Sequence, residues 1–346
     1  MPPLVGIFGA GRNGSTLLMR LLDGSRELWV HPIEVNYFSN ENRFSDWTVQ
    51  QMEELQSGYV ERLLEPLGLG EDSVSRVLEG VENPTEHPLR AFLEAVRTEY
   101  DSRPDGKAAS LVFKSIEVLE IERYARLFPD LRFIHILRDP LSNYASLKRT
   151  DMLHKQKPFW FQGGDILRLQ VEGRWIPHAR WILQNCESDG RRHLLVRYED
   201  LCSGPDQAIG RICEWLGVHP PADPALQTVL GGRRMKELPS NPSKAGVKTP
   251  DRVVADMAKA FRYEEVVTDR EREFIRLRTR FLAEKLGYPD RGDRPISSRW
   301  RMAMQWLFPD RWELLNARPK VRLAAALLSR RWYIYSRIFS PEPTLQ

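Results

Sequence analysis

Four short apolar runs, each closed by turn-forming or charged residues, punctuate the first two thirds of the chain: Leu4–Phe8, Leu111–Phe113, Arg132–Leu137 and Leu194–Val196. Runs of this length, bounded in this way, predict buried β-strands. Between them, apolar positions recur every three to four residues. Helices are predicted over Ser15–Leu22, over Val49–Leu67 with Met52, Leu55, Tyr59, Leu63 and Leu67 on one stripe, and over Val118–Phe128, Ile166–Cys186 and Gln207–Leu216. Strands alternating with helices predict an α/β fold: a mainly parallel central sheet with helices on both faces.

After Gly217 the pattern breaks. The stretch to Thr249 is rich in Pro, Gly and Lys and reads as a long excursion from the core. A last core helix is predicted over Thr268–Leu286, and PDRGDRP, around Pro289–Pro295, reads as a linker. The expected organisation is therefore one domain over 1–288 and a helical, basic and aromatic C-terminal extension over 289–346. From Trp300 to Phe339 the extension interleaves Arg with Trp, Leu, Phe and Tyr, as in RRWYIYSRIF. It reads as a helical extension packed on the core or on a second subunit, its arginine stems lying along apolar surface. Two other readings stand beside that one: an interfacial segment meeting anionic lipid, and a lid over a large acceptor.

Composition narrows the class. Apolar residues at 42% and charged residues at 28% are ordinary for a soluble globular enzyme. A net charge of +4 gives no case for nucleic acid as a partner. Cys186, Cys202 and Cys213 are odd in number and lack metal-ligand spacing, so neither a disulfide framework nor a zinc site is expected. The N-terminus runs directly into a strand, and no stretch reaches the about 18 continuous apolar residues needed to cross a bilayer, so a cytoplasmic protein is expected.

Chemistry enters at the strand ends. In open parallel sheets, ligands sit beyond the carboxyl ends of the strands. Here the first strand is followed by GAGRNGST, Gly9–Thr16; the second ends in Lys114 and Ser115; the third runs into Arg138 and the fourth into Arg197. Gly9, Gly14 and Thr16 match the spacing of a nucleotide P-loop, but Ser15 stands where nucleoside triphosphatases carry the lysine that reaches the β- and γ-phosphates of ATP. Backbone N–H groups of Gly11–Thr16, the start of the following helix and the charge of Arg12 suit a phosphate-like anion. Magnesium ATP is not the expected ligand, and no metal is required.

RNGST after the first strand, together with RFIHILRDPLSNYASL at Arg132–Leu147, resembles the family of sulfotransferases that use 3′-phosphoadenosine 5′-phosphosulfate (PAPS). The likeness extends through LVFKS, FPDLRFIHILRDP and LLVRYEDL, in discontinuous pieces from residue 4 to about residue 216. It implies that Gly11, Arg12, Asn13, Gly14, Ser15 and Thr16 hold the 5′-phosphosulfate, and that Arg138 and Ser146 hold the 3′-phosphate. Arg197 and Tyr198, opening RYEDL, match a position that supports the cofactor site; a strand-end arginine paired to Glu199 or Asp200 explains the same residues. Lys244 and Lys248 lie where family members fold a loop over the nucleotide, although a merely basic loop accounts for them equally well.

Sulfuryl transfer needs a base for the acceptor's proton and cations for the charge gathering on the donor. The family branch with a catalytic His carries it two residues after the strand-two lysine, and that position is Ile116 here. Branches resembling tyrosylprotein and bacterial glycolipid sulfotransferases place a Glu shortly after the first helix, which corresponds to Glu34 in HPIEVNYF. Glu34 is accordingly the expected base, with His31 as competitor, and Lys114 and Arg12 the expected charge-neutralising residues. The implied partner is a hydroxyl-bearing acceptor, a carbohydrate, glycolipid or small metabolite being favoured. Homo-oligomerisation and peripheral membrane contact through the tail are left open. The rival reading is a P-loop kinase or nucleotide-binding module whose loop has lost its lysine.

Overall fold

The computed structural model describes residues 3–23, 25–36, 72–73, 75–76, 88–100, 110–153, 166–221, 264–290, 299–305 and 332–340. The helix predicted over Val49–Leu67, most of the excursion after Gly217, and Lys244 and Lys248 lie outside the described residues. The strands are β1 (Leu4–Phe8), β2 (Leu28–Glu34), β3 (Ser110–Ser115), β4 (Arg132–Leu137) and β5 (His193–Arg197). The helices are α1 (Ser15–Leu22), α2 (Pro88–Tyr100), α3 (Ile121–Leu127), α4 (Pro140–Leu153), α5 (Ile176–Asn185), α6 (Tyr198–Ser203), α7 (Pro205–Leu216), α8 (Asp269–Lys285) and α9 (Arg299–Gln305). A further helix covers 332–339.

All four predicted strands form, and the sheet has a fifth. Its order is β2-β3-β1-β4-β5, with every neighbouring pair parallel. The fifth, β2, carries Pro32 inside LWVHPIE, and a proline cannot donate to a central ladder. Here it is tolerated because β2 is the outermost strand, and its register with β3 shifts between Val30 and Glu34. The shift re-aims the strand's end so that Glu34 pairs with Lys114.

The compact unit made of Met1–Leu137 and Ser188–Lys259 holds the whole sheet. Side chains alternate across it, as the strand period requires. Val5, Ile7, Val112, Ile134, Ile136 and Val196 form one buried cluster with Leu18, Leu21 and Leu22 of α1 and Ile209, Ile212 and Cys213 of α7. Toward the other face Phe8 packs edge-on against Phe113 and Tyr124 of α3. Farther along that face, Phe133 and His193 stack with centroids 4.7 Å apart, and His135 Nε2 lies 3.0 Å from His193 Nδ1. α2, which was not predicted, buries Leu89, Phe92, Leu93 and Val96, a helix-period stripe introduced by Pro88.

A second compact unit comprises Arg138–Glu187 and Ala260–Gln346. Asp139 caps α4, its Oδ1 accepting from the Ser142 N–H at 2.8 Å. The single helix predicted over Ile166–Cys186 is instead a π-helical stretch, Arg168–Trp175, running into α5. Pro177 explains the change: in a regular α-helix its ring meets the carbonyl four residues back, and a wider turn relieves that clash. α8 begins with a capping box in which Thr268 and Glu271 satisfy each other's backbone donors. Glu271, fully buried, also accepts from Tyr144 Oη and Lys148 Nζ, each at 2.7 Å. Among the described residues, no helix is long and apolar enough to cross a membrane.

Candidate active site

β1 hands the chain to the loop Gly9–Gly14, and left-handed backbone shapes it. Arg12 sits at φ 70° and Gly14 at φ 93°. The loop is pinned on two sides. Asn13 Nδ2 donates to the Ile136 carbonyl at 3.1 Å, and the Gly9 N–H donates to the Ser115 carbonyl at 3.3 Å. Gly14 is required for space as well as for φ, since a Cβ there would lie 2.2 Å from the Tyr198 ring. Tyr198 thus braces the loop from the start of α6. α1 begins at Ser15 with Gly14 as N-cap and no side-chain cap, so its positive end is left to serve an anion.

Behind the loop lies an ionic chain. Lys114, at the end of β3, is 2% exposed; its Nζ donates to Thr16 Oγ1 at 2.8 Å and lies 3.4 Å from Glu34 Oε2. Burial pushes its pKa below the ordinary lysine value, the Glu34 carboxylate opposes that shift, and the charge of Arg12 adds to it. A desolvated cation beside a second cation favours an incoming anion. Arg12 itself is exposed. The donor set, an uncapped helix start with Thr16, Lys114 and Arg12, therefore fits a sulfate- or phosphate-bearing group.

Glu34 is held on both oxygens. Opposite the lysine, Asn36 Nδ2 donates to Glu34 Oε1 at 3.0 Å. Asn36 Oδ1 in turn accepts from Ser115 Oγ and the Ile116 N–H, both at 3.2 Å. Asn36 was missed in the sequence. Its signal was its position two residues beyond Glu34 in an extended segment, which puts both on one side. His31 points elsewhere: fully buried, it meets Trp29 edge-on at 5.5 Å and Phe92 at 5.7 Å.

Arg197 forms a bidentate pair with Asp200, at 3.1 and 2.8 Å. In the second unit, Arg138 is 5% exposed and its carbonyl accepts from Trp175 Nε1 at 2.9 Å. Ser146, 3% exposed, lies two turns along α4, where its carbonyl accepts from Thr150 Oγ1 at 2.8 Å. Burial of this kind does not suit an ordinary surface arginine and a solvated helical serine.

A parallel α/β sheet whose first strand feeds a glycine loop and an uncapped helix, with a buried lysine ending the neighbouring strand, is a P-loop-like arrangement suited to an anion. The chain belongs to the sulfotransferase family, whose profile matches residues 3–222. Among solved structures it is similar to the sulfotransferase domain from the Synechococcus PCC 7002 olefin synthase, at 21% identity and a TM-score of 0.57 over 83% of this chain and 96% of that one. It is also similar to the sulfotransferase domain from the curacin biosynthetic pathway, at 20% identity and a TM-score of 0.54 over 84% of this chain and 99% of the other. No curated protein sequence matches it.

Proposed function

We propose that this sulfotransferase uses PAPS as donor and a hydroxyl of a carbohydrate, glycolipid or small metabolite as acceptor, with Glu34 as general base. The observation that carries the reading is the chain Thr16–Lys114–Glu34, which joins the anion-binding loop to a carboxylate through one buried cation. The donor supplies a sulfuryl group on an activated phosphate. Glu34 takes the acceptor's proton as the acceptor oxygen bonds to sulfur, and Lys114 with Arg12 neutralises charge left on the departing phosphate oxygen.

The remaining assignments follow the family likeness. Gly11–Thr16 bind the 5′-phosphosulfate, Arg138 and Ser146 the 3′-phosphate, and Tyr198 keeps the loop in shape. Lys244 and Lys248 are assigned to the nucleotide on the same likeness. Arg197 acts through Asp200, orienting the start of α6 and thereby Tyr198. His31, enclosed by aromatic rings, leaves the base role to Glu34.

Calorimetric titration tests the donor. The product nucleotide 3′-phosphoadenosine 5′-phosphate (PAP) is expected to bind tightly and AMP weakly, with no need for magnesium. Preference for magnesium ATP would overturn the reading in favour of a kinase.

A further inference from the structure

We propose that α9 and the helix over 332–339 form a surface that docks on anionic lipid. The 332–339 helix has two opposed stripes. Ile334 and Ile338, four residues apart, are fully buried. Trp332, Ser336 and Phe339 recur at the same helical period on the other side, and there Trp332 is 78% and Phe339 42% exposed. α9 repeats the arrangement, with Met302 and Ala303 buried and Trp300 73% exposed. Packing therefore consumes the aliphatic stripes and leaves the aromatic ones in water.

The exposed rings act as one patch. Trp300 and Phe339 meet edge-to-face with centroids 5.1 Å apart. Arg299 Nη1 donates to the Phe339 and Ser340 carbonyls, each at 3.3 Å, tying α9 to the last turn of the other helix.

Charge selects the occupant. The described residues of the patch include Arg299, Arg301 and Arg337 and no acidic residue. A second copy docking through the same face would set these arginines against one another. Flat single rings would suit stacked bases, whereas here two rings are packed against each other. Indole and phenyl rings rimmed by arginine suit the headgroup level of a bilayer bearing anionic lipid.

The test is co-sedimentation of the full chain with vesicles of phosphatidylcholine alone and of phosphatidylcholine mixed with phosphatidylserine. It needs neither donor nor acceptor, so its outcome is independent of the proposed reaction. Wild-type protein is expected to sediment with the anionic vesicles only. Paired Trp332→Ser and Phe339→Ser, and separately paired Arg301→Glu and Arg337→Glu, should each weaken binding at least tenfold with an unchanged melting temperature. Three outcomes would overturn the proposal: no sedimentation with either vesicle, aromatic variants that bind like wild type, or concentration-dependent dimerisation abolished by the same variants without vesicle binding.

Discussion

Asn36 holds Glu34 Oε1 through its Nδ2 while its own Oδ1 receives the backbone N–H of Ile116. A backbone N–H can only donate, so the amide's oxygen must face it and its NH2 must face the carboxylate. Asn36 is thus a positioning residue for the proposed base. Asn36→Ala is expected to lower kcat about tenfold or more with little change in KM, because a base displaced by an ångström loses much of its effect. Asn36→Asp should also move the acid limb of the rate profile to higher pH through carboxylate repulsion. Steady-state kinetics on an acceptor found by screening check both.

Glu34→Gln keeps the shape and the hydrogen bond from Asn36 but cannot accept a proton. A fall in kcat of about 10²–10⁴ is expected, with PAP affinity retained. Lys114→Met should lower both rate and PAP affinity. Single-turnover rates and calorimetry separate the two cases, and wild-type turnover in Glu34→Gln would exclude Glu34 as base.

Gly14→Ala introduces a side chain at φ 93° and into the Tyr198 ring. PAP affinity is expected to fall at least tenfold. Pairing it with Tyr198→Ala should restore only part of the loss, since the ring contact is relieved but the backbone cost of about 1–2 kcal/mol remains. Full rescue in calorimetry would mean that φ is of no account.

The reach of local sequence can be seen in particular residues. β1, β3, β4 and β5 were legible because each is a short, mainly apolar run closed by polar or turn residues, and Lys114 and Arg197 follow from reading their ends. β2 was not, because Pro32 and the register shift hide an edge strand whose pairing depends on β3. Lys114 and Thr16 were each named, yet their hydrogen bond joins residues 98 positions apart, and nothing local announces it. Glu271 stands three residues after Thr268, the spacing of a capping partner, and only the arrival of Tyr144 and Lys148 from α4 makes it a buried hub.

That hub sets a stability prediction. Glu271→Leu strands Lys148, 2% exposed, without its carboxylate and should cost about 3–5 kcal/mol. Thr268→Ala removes one cap and should cost about 1 kcal/mol. Urea unfolding followed by circular dichroism measures both, and equal losses would show that the ion pair adds nothing beyond the cap.

Acid should unfold the protein through its histidines. Burial pushes His178 down to about 3 and His193 to about 4, from an ordinary 6.5. Both folded values lie below the unfolded one, so unfolding takes up protons once the pH is under 6.5. Stability is therefore full above that pH and declines as pH falls toward the folded values, by about 1.4 kcal/mol per pH unit for each histidine. Unfolding midpoints measured from pH 7 downward should show this slope, reduced in His193→Asn.

The outermost position of β2 divides labour within the sheet. The glycine loop grows from an interior strand, locked between two neighbours, whereas the carboxylate proposed to face the acceptor grows from a margin paired on one flank only. Changes at that margin disturb one ladder instead of two.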